Sequence, residues 1–375
     1  MSKIHHQTCS VIPPHIWRHM AEHGDDDVRE RVASTLYHSQ QIAARRAATL
    51  IGERAVKAPS SSRPVRRVYD CEHRQTLPGK LVMGDGKAVS TDIEAMEAFD
   101  GCGATADFYA SVFGRKSIDG KGMPLISTVH YGTNFDNALW NGDQMVYGDG
   151  DGKLFNRFTI AVDVIGHELT HGVTQHTAAL EYRDQSGALN EHLSDAFGIM
   201  VKQWLLGLTA SQSDWYIGSG LFARGVHGKA IRSMKAPGTA YDDPSLGRDP
   251  QPAHMRNYVT SADDNGGVHI NSGIPNHAFY LIATTLGGYA WAVAGWIWFH
   301  VLETMLFPHA GFQDFATATV IVAGEKYGFG GKVQTTVFNA WSRVGLNLPP
   351  SLLRKTQPPA TRRQSRTRPM QRKVA

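Results

Sequence analysis

Two histidines four positions apart, His167 and His171, with Glu168 beside the first, constrain the fold of this chain more than any other residues in it. An α-helix turns once in about 3.6 residues, so a helix brings both imidazoles to one face, one turn apart, where they can share a single zinc ion while Glu168 leans over the metal's open side. A third ligand is still needed. Glu191 follows in 186–195, a run that reads as a turn entering a second helix, and Asp195 lies one turn further on along the same face. Asp195 is placed to accept the ring N–H of a ligand histidine and so to fix the tautomer that turns the other nitrogen to zinc. Three protein ligands leave the fourth tetrahedral position to water, which is the arrangement of a catalytic zinc, and the pattern implies a zinc hydrolase.

The rest of the chain sets the frame for that site. At 375 residues it exceeds what one hydrophobic core serves, so two packed lobes with appendages are expected. The longest apolar run, 288–299, is short and broken by glycine; it reads as a buried helix and not as a membrane span. Residues 1–14 show neither an apolar core nor a small-residue cleavage site, so a conventional secretory signal is not expected. That reading implies synthesis in the cytoplasm, and export, if it happens, by a non-classical route. Three cysteines, Cys9, Cys71 and Cys102, cannot all pair and form no CxxC site, which argues against a disulfide framework.

Four units follow from the patterning. Residues 1–60 hold a helix over 26–51, acidic early and rich in arginine late as a helix dipole favours, and then a linker rich in proline and serine. From 65 to 160 short β-branched and aromatic runs alternate with Gly, Asp and Asn, giving a β-rich lobe with one helix over 95–113. From 161 to 348 the period turns helical, with helices expected over 161–175, 189–206, 275–286, 296–306, 315–327 and 332–344. The fold class is therefore α+β, with the helix bearing His167 and His171 between the lobes. The tail 349–375 carries many basic side chains and no acidic one, reads as disordered, and inflates the sequence pI of 8.9. That pI is no sign of a nucleic-acid partner.

Several further runs carry a family likeness: Tyr69-Asp70 with Thr76-Leu77-Pro78-Gly79, Phe135-Asp136-Asn137-Ala138-Leu139-Trp140-Asn141-Gly142, Met145-Val146-Tyr147-Gly148-Asp149-Gly150-Asp151-Gly152, and Asp264-Asn265-Gly266-Gly267-Val268-His269-Ile270-Asn271-Ser272-Gly273. With the zinc motif they make the chain resemble the thermolysin-like neutral metallopeptidases from about residue 69 to about 346. The resemblance implies a monomeric endopeptidase with one Zn2+ held by His167, His171 and Glu191. It makes Glu168 the general base, Tyr182 and His269 the donors to the oxyanion, and Asp264 the group that orients His269. Asn190 and Asp195 become the partners of His171 and His167. Arg232 grips the substrate carbonyl just past the cut, and Asn137, Ala138 and Trp140 form the edge on which an extended peptide pairs.

The same resemblance lines the leaving-group pocket with Phe155, Phe158, Val164, Ile217, Leu221 and Ile231, an apolar set that implies cleavage on the N-terminal side of hydrophobic residues. Residues 1–60 resemble the short propeptide of the protealysin-like branch, so the chain's own N-terminal segment joins peptide and protein substrates as a partner. Pro13-Pro14 is expected in the cleft, and Cys9, just before it, could place a thiolate on the zinc. Calcium is not expected at the family's double site, because Lys202, Tyr216 and Ser219 stand where carboxylates are needed; Lys202 should pair with Asp163 or Asp214 instead. An inactive zinc-binding relative acting through protein contacts is the other reading, and it predicts loss of Glu168, Tyr182 or His269, all of which are present.

Overall fold

Pro14 opens the first helix, α1 (Pro14–His23), because its fixed φ suits a first helical position and its missing N–H is not needed there. The computed structural model describes residues 10–49, 63–86 and 89–355, so Cys9, most of the expected linker and nearly all of the basic tail lie outside the described residues. Helix α2 (Asp26–Thr49) follows, with Asp26 and Asp27 in its first turn. Ile16, Trp17 and Met20 form the buried stripe of α1, and each contributes on the order of 2 kcal/mol by leaving water. Trp17 packs on Phe155 with ring centroids 6.0 Å apart. Helix α2 is tied down by the Thr35 hydroxyl, which donates to the Asn134 carbonyl at 3.0 Å and accepts from the Asp136 N–H at 3.1 Å.

The N-terminal lobe is a five-stranded sheet formed by β1 (Arg66–Asp70), β2 (Lys80–Gly84), β3 (Leu125–Val129), β4 (Ala138–Trp140) and β5 (Met145–Tyr147), in the order β2-β1-β3-β5-β4. Among the described strands β4 pairs with β5 alone, antiparallel, and so stands at the edge of the sheet. Helix α3 (Ile93–Phe113) begins where the Asp92 carboxylate accepts the N–H groups of Glu94 and Ala95, and ends at Gly114 with a φ of 71°.

The C-terminal lobe is built on α4 (Val162–Gln175) and α5 (Asp184–Leu206). Their backbones touch: a Cβ on Gly198 would lie 2.4 Å from the Asp163 carbonyl oxygen. That approach is what lets side chains of α5 reach the histidines of α4. Two short strands, β6 (Tyr216–Ile217) and β7 (Arg232–Ser233), pair beside them, and α6 (Asp264–Asn271), α7 (Gly273–Leu286), α8 (Trp296–Thr304), α9 (Phe312–Tyr327) and α10 (Lys332–Arg343) complete the lobe. The run 288–299 is a π-helical turn leading into α8, whose Ile297, Trp298 and Phe299 are buried. Among the described residues no single helix is long and apolar enough to cross a membrane.

The structure differs from the sequence reading in three places. Helix α1 was not expected. Residues 186–195 are not a turn, because α5 already starts at Asp184. The residue that bonds to the edge strand is Val11, next to Ser10, whereas Pro13 and Pro14 begin α1.

Candidate active site

Both site histidines are buried on α4, at 0% and 2% exposure. The Nδ1 of His167 meets Asp195 Oδ1 at 2.8 Å, and the Nδ1 of His171 meets Asn190 Oδ1 at 2.9 Å. With the ring protons fixed on Nδ1 by those acceptors, the two Nε2 lone pairs converge at 3.1 Å, a repulsive placement that a cation between them relieves. Glu191 completes the triangle, its carboxylate oxygens 3.5 Å from His167 Nε2 and 3.4 Å from His171 Nε2. The ligand atoms of these three residues all lie within 4.8 Å of one another. Among the described residues neither Glu191 Oε2 nor Glu168 Oε1 has a hydrogen-bond partner, although both are buried. Two orphaned carboxylate oxygens beside converging imidazoles fit zinc.

The electrostatics agree. Burial pushes the pKa of His171 down to about 3, so its imidazole is neutral, as a ligand must be. Burial opposes the charge on Glu191, but the groups around it, His269 first and Arg232 among them, outweigh it and hold the carboxyl at about 2. Glu168 is pushed well above the usual range by burial and by the Glu191 carboxylate, against the pull of the Trp140 N–H, Arg232 and His269. That N–H donates to Glu168 Oε2 at 3.0 Å and ties the carboxylate to the edge strand. A carboxylate raised in this way accepts a proton more readily.

On the far side, Tyr182 donates a short hydrogen bond to Glu191 and lies 3.2 Å from His269 Nε2. His269 is held twice by Asp264, whose Oδ2 accepts its backbone N–H at 2.9 Å and whose Oδ1 meets its Nδ1 at 2.6 Å. The loop before it turns tightly enough for this because Gly266 and Gly267 adopt φ of 92° and 75°. Burial works against a charge on His269, yet Asp264 and Glu191 raise its pKa to about 9 and leave it cationic at neutral pH.

Asp195 is more than the acceptor for His167. It also takes the Arg232 Nε and Nη2 donors at 2.8 to 3.1 Å and the Asn276 amide at 2.8 Å, so one buried carboxylate orients a ligand and a guanidinium together. Neither Asn276 nor Ser194, whose Oγ lies 3.0 Å from His171 Nδ1, was flagged by the sequence; Asn276 sits far along the chain and carries no motif. His192 is structural: its Nδ1 meets Asn276 Oδ1 at 2.7 Å, and its Nε2 accepts from the Trp298 indole at 2.7 Å.

The residues expected to line the leaving-group pocket, Phe155, Phe158, Val164, Ile217, Leu221 and Ile231, are all buried, in the same apolar cluster as Val11. Val11 N–H donates to the Ala138 carbonyl at 3.2 Å, and the Arg232 Nη1 donates to the Val11 carbonyl at 3.2 Å. The Asn137 amide donates to the Ser10 hydroxyl at 2.6 Å. Away from the cleft, the Lys202 ammonium lies 3.3 Å from Asp163 Oδ2 and 3.1 Å from both oxygens of Asp214, with the Tyr216 carbonyl at 3.3 Å. A second group of close ligand atoms, Glu94, His130 and Asp149, is already served by charge: hydrogen bonds to Asp149 and Asp92 outweigh burial and raise His130 to about 10, making it the cation of its own cluster.

Three family models match in succession: the protealysin propeptide over residues 9–49, the catalytic domain of thermolysin metallopeptidases over 52–175, and their alpha-helical domain over 178–346. An extracellular metalloprotease of Pectobacterium carotovorum subsp. carotovorum is 49% identical over 345 residues, covering 91% of this chain and 97% of its own. Protease PrtS of Photorhabdus sp. (strain Az29) is 43% identical over 90% of this chain and 92% of its own. The solved precursor of protealysin, a metalloproteinase from Serratia proteamaculans, superposes with a TM-score of 0.83 at 49% identity, covering 90% of this chain and 100% of that one. Matched by all three models and by relatives spanning nearly its whole length, the chain belongs to the thermolysin family of zinc metallopeptidases, in the branch made with a protealysin-type propeptide.

Proposed function

We propose that this metalloendopeptidase cuts peptide bonds on the N-terminal side of hydrophobic residues, with Glu168 as the base, and that its N-terminal unit blocks the cleft until it is removed. The observation that carries the reading is the convergence of His167, His171 and Glu191 beside a non-ligating Glu168. A zinc ion bound there supplies Lewis acidity toward the scissile carbonyl and makes water acidic near neutral pH. The chain's own residues do the rest. Glu168 takes the water's proton and hands it to the leaving amine, while Tyr182 and cationic His269 donate to the developing oxyanion. Arg232, locked by Asp195, receives the carbonyl after the cut, and the Ala138 carbonyl accepts the adjacent N–H. The apolar wall from Phe155 to Ile231 selects the side chain that enters.

Removing zinc with a chelator abolishes cleavage of a peptide carrying Leu after the scissile bond, and added zinc restores it; cleavage that survives metal removal overturns the reading. Replacing that Leu by Asp lowers kcat/KM by about a hundredfold or more, since an unpaired carboxylate then enters an apolar pocket. The relative named as an extracellular metalloprotease supports action outside the cell.

Calcium is not required at the position of the double site, because the Lys202 ammonium already pairs with both Asp163 and Asp214. In a Glu168→Gln background, which prevents self-digestion, the thermal midpoint is the same with calcium and with a calcium chelator. Lys202→Met strands the buried Asp163 carboxylate and lowers stability by roughly 3 kcal/mol in denaturant titration. A large rise with calcium in the parent, or an unchanged stability in the variant, refutes this account.

A further inference from the structure

The backbone contacts of Ser10 and Val11 show more than occupation of the cleft. Two successive carbonyls face different machinery: that of Val11 accepts from Arg232 at 3.2 Å, and that of Ser10 lies 3.2 Å from His269 Nε2. His269 Nε2 is in turn 3.5 Å from Glu191 Oε1 and 3.2 Å from the Tyr182 hydroxyl. The Ser10 carbonyl is therefore the one turned to the metal ligands and the oxyanion donors. The N–H on the other side of the same peptide bond, that of Val11, donates to Ala138, the residue at the start of the edge strand that also holds Glu168 through Trp140. Val11 itself is apolar and fully buried, as the pocket requires. Downstream, α1 fixes the segment through Ile16, Trp17 and Met20, and the ring of His15 lies 2.8 Å from the Tyr241 hydroxyl, so the register cannot slide.

We propose that Ser10–Val11 is a processing site, hydrolysed by the same molecule that carries it. The inference rests on the metallopeptidase reading above and adds the bond that is cut. One water is consumed. Its oxygen joins the Ser10 carbonyl carbon, the C–N bond to Val11 breaks, and Glu168 carries the water's proton to the Val11 nitrogen. The products are a peptide of residues 1–10 ending in a carboxylate and a chain beginning with the amine of Val11. The remaining anchors of α1 are untouched by this cut, so the pocket stays covered after it.

The test uses the full chain, purified without zinc and then given zinc, with intact mass followed over time. The expected result is first-order loss of residues 1–10 at a rate independent of protein concentration, with full-length Glu168→Gln staying intact under the same conditions. Val11→Ile keeps the cut, and Val11→Asp loses it. If the chain cuts itself at other bonds, or cuts an added Leu-containing peptide, while Ser10–Val11 stays whole, the segment is an inhibitor held in substrate register and the proposal fails while the peptidase reading stands. A rate that rises with protein concentration places the cut between molecules and also overturns it. If neither the chain's own bonds nor the added peptide is cut, the peptidase reading falls and takes this proposal with it.

Discussion

Full-length chain and shortened forms carrying Glu168→Gln keep their zinc and lose peptide cleavage by about three orders of magnitude or more. The change preserves size and hydrogen bonding to the Trp140 N–H but removes the carboxylate proposed to move a proton between water and leaving amine. Because Glu168 stands beside the triangle of His167, His171 and Glu191 without closing it, metal content measured on the same sample must be unchanged. Loss of zinc would make Glu168 a ligand, and undiminished kcat/KM would remove it from the reaction. The stability effect also has a sign. Burial and Glu191 raise the pKa of Glu168, so an ionised Glu168 costs the fold more as pH rises above the ordinary carboxylate range. An uncharged glutamine removes that cost, and with zinc withdrawn from both forms the variant unfolds at a higher midpoint at neutral pH.

Removing residues 1–62 raises the rate on a hydrophobic peptide by about a hundredfold or more, compared at equal zinc content. The reason is intramolecular competition. A segment tethered to its own site acts at an effective concentration in the millimolar range or above, which an ordinary substrate does not match. Here the tethered segment also buries Val11, Ile12, Ile16, Trp17 and Met20. Equal rates for the two forms end the idea of a blocked precursor. Release by Cys9→Ser alone, with the helices still in place, would transfer the inhibitory role from the buried apolar anchors to the thiol.

The histidine pair was legible in the sequence because helical spacing is local: the i, i+4 histidines dictate their own geometry. The long helices were legible for the same reason, α2 to α5 and α7 to α10. What escaped depends on distance along the chain. Asp195 could be named as the partner of His167, but its simultaneous hold on Arg232 and Asn276 comes from three elements meeting in space. The proline pair misled because proline both disfavours pairing with a strand and favours a helix start, and the second tendency won at Pro14. The start of α5 was placed late because Asp184, at its first position, has a φ of 48° and the polar residues after it look like a turn. The pairing of Lys202 was read correctly as to type, though it reaches both Asp163 and Asp214 and not one of them.

Lys202 has one more consequence. A dissolved ion stabilises a protein by an amount that grows with the logarithm of its concentration, so the medium sets part of the stability. An ammonium carried on α5 has no such term: every folded molecule holds one equivalent, placed at the moment α4, α5 and the loop at Asp214 come together. Dilution cannot wash it out and a chelator cannot withdraw it. The junction of these three elements is thus indifferent to the hardness of the water around it, and its persistence there is written into the chain.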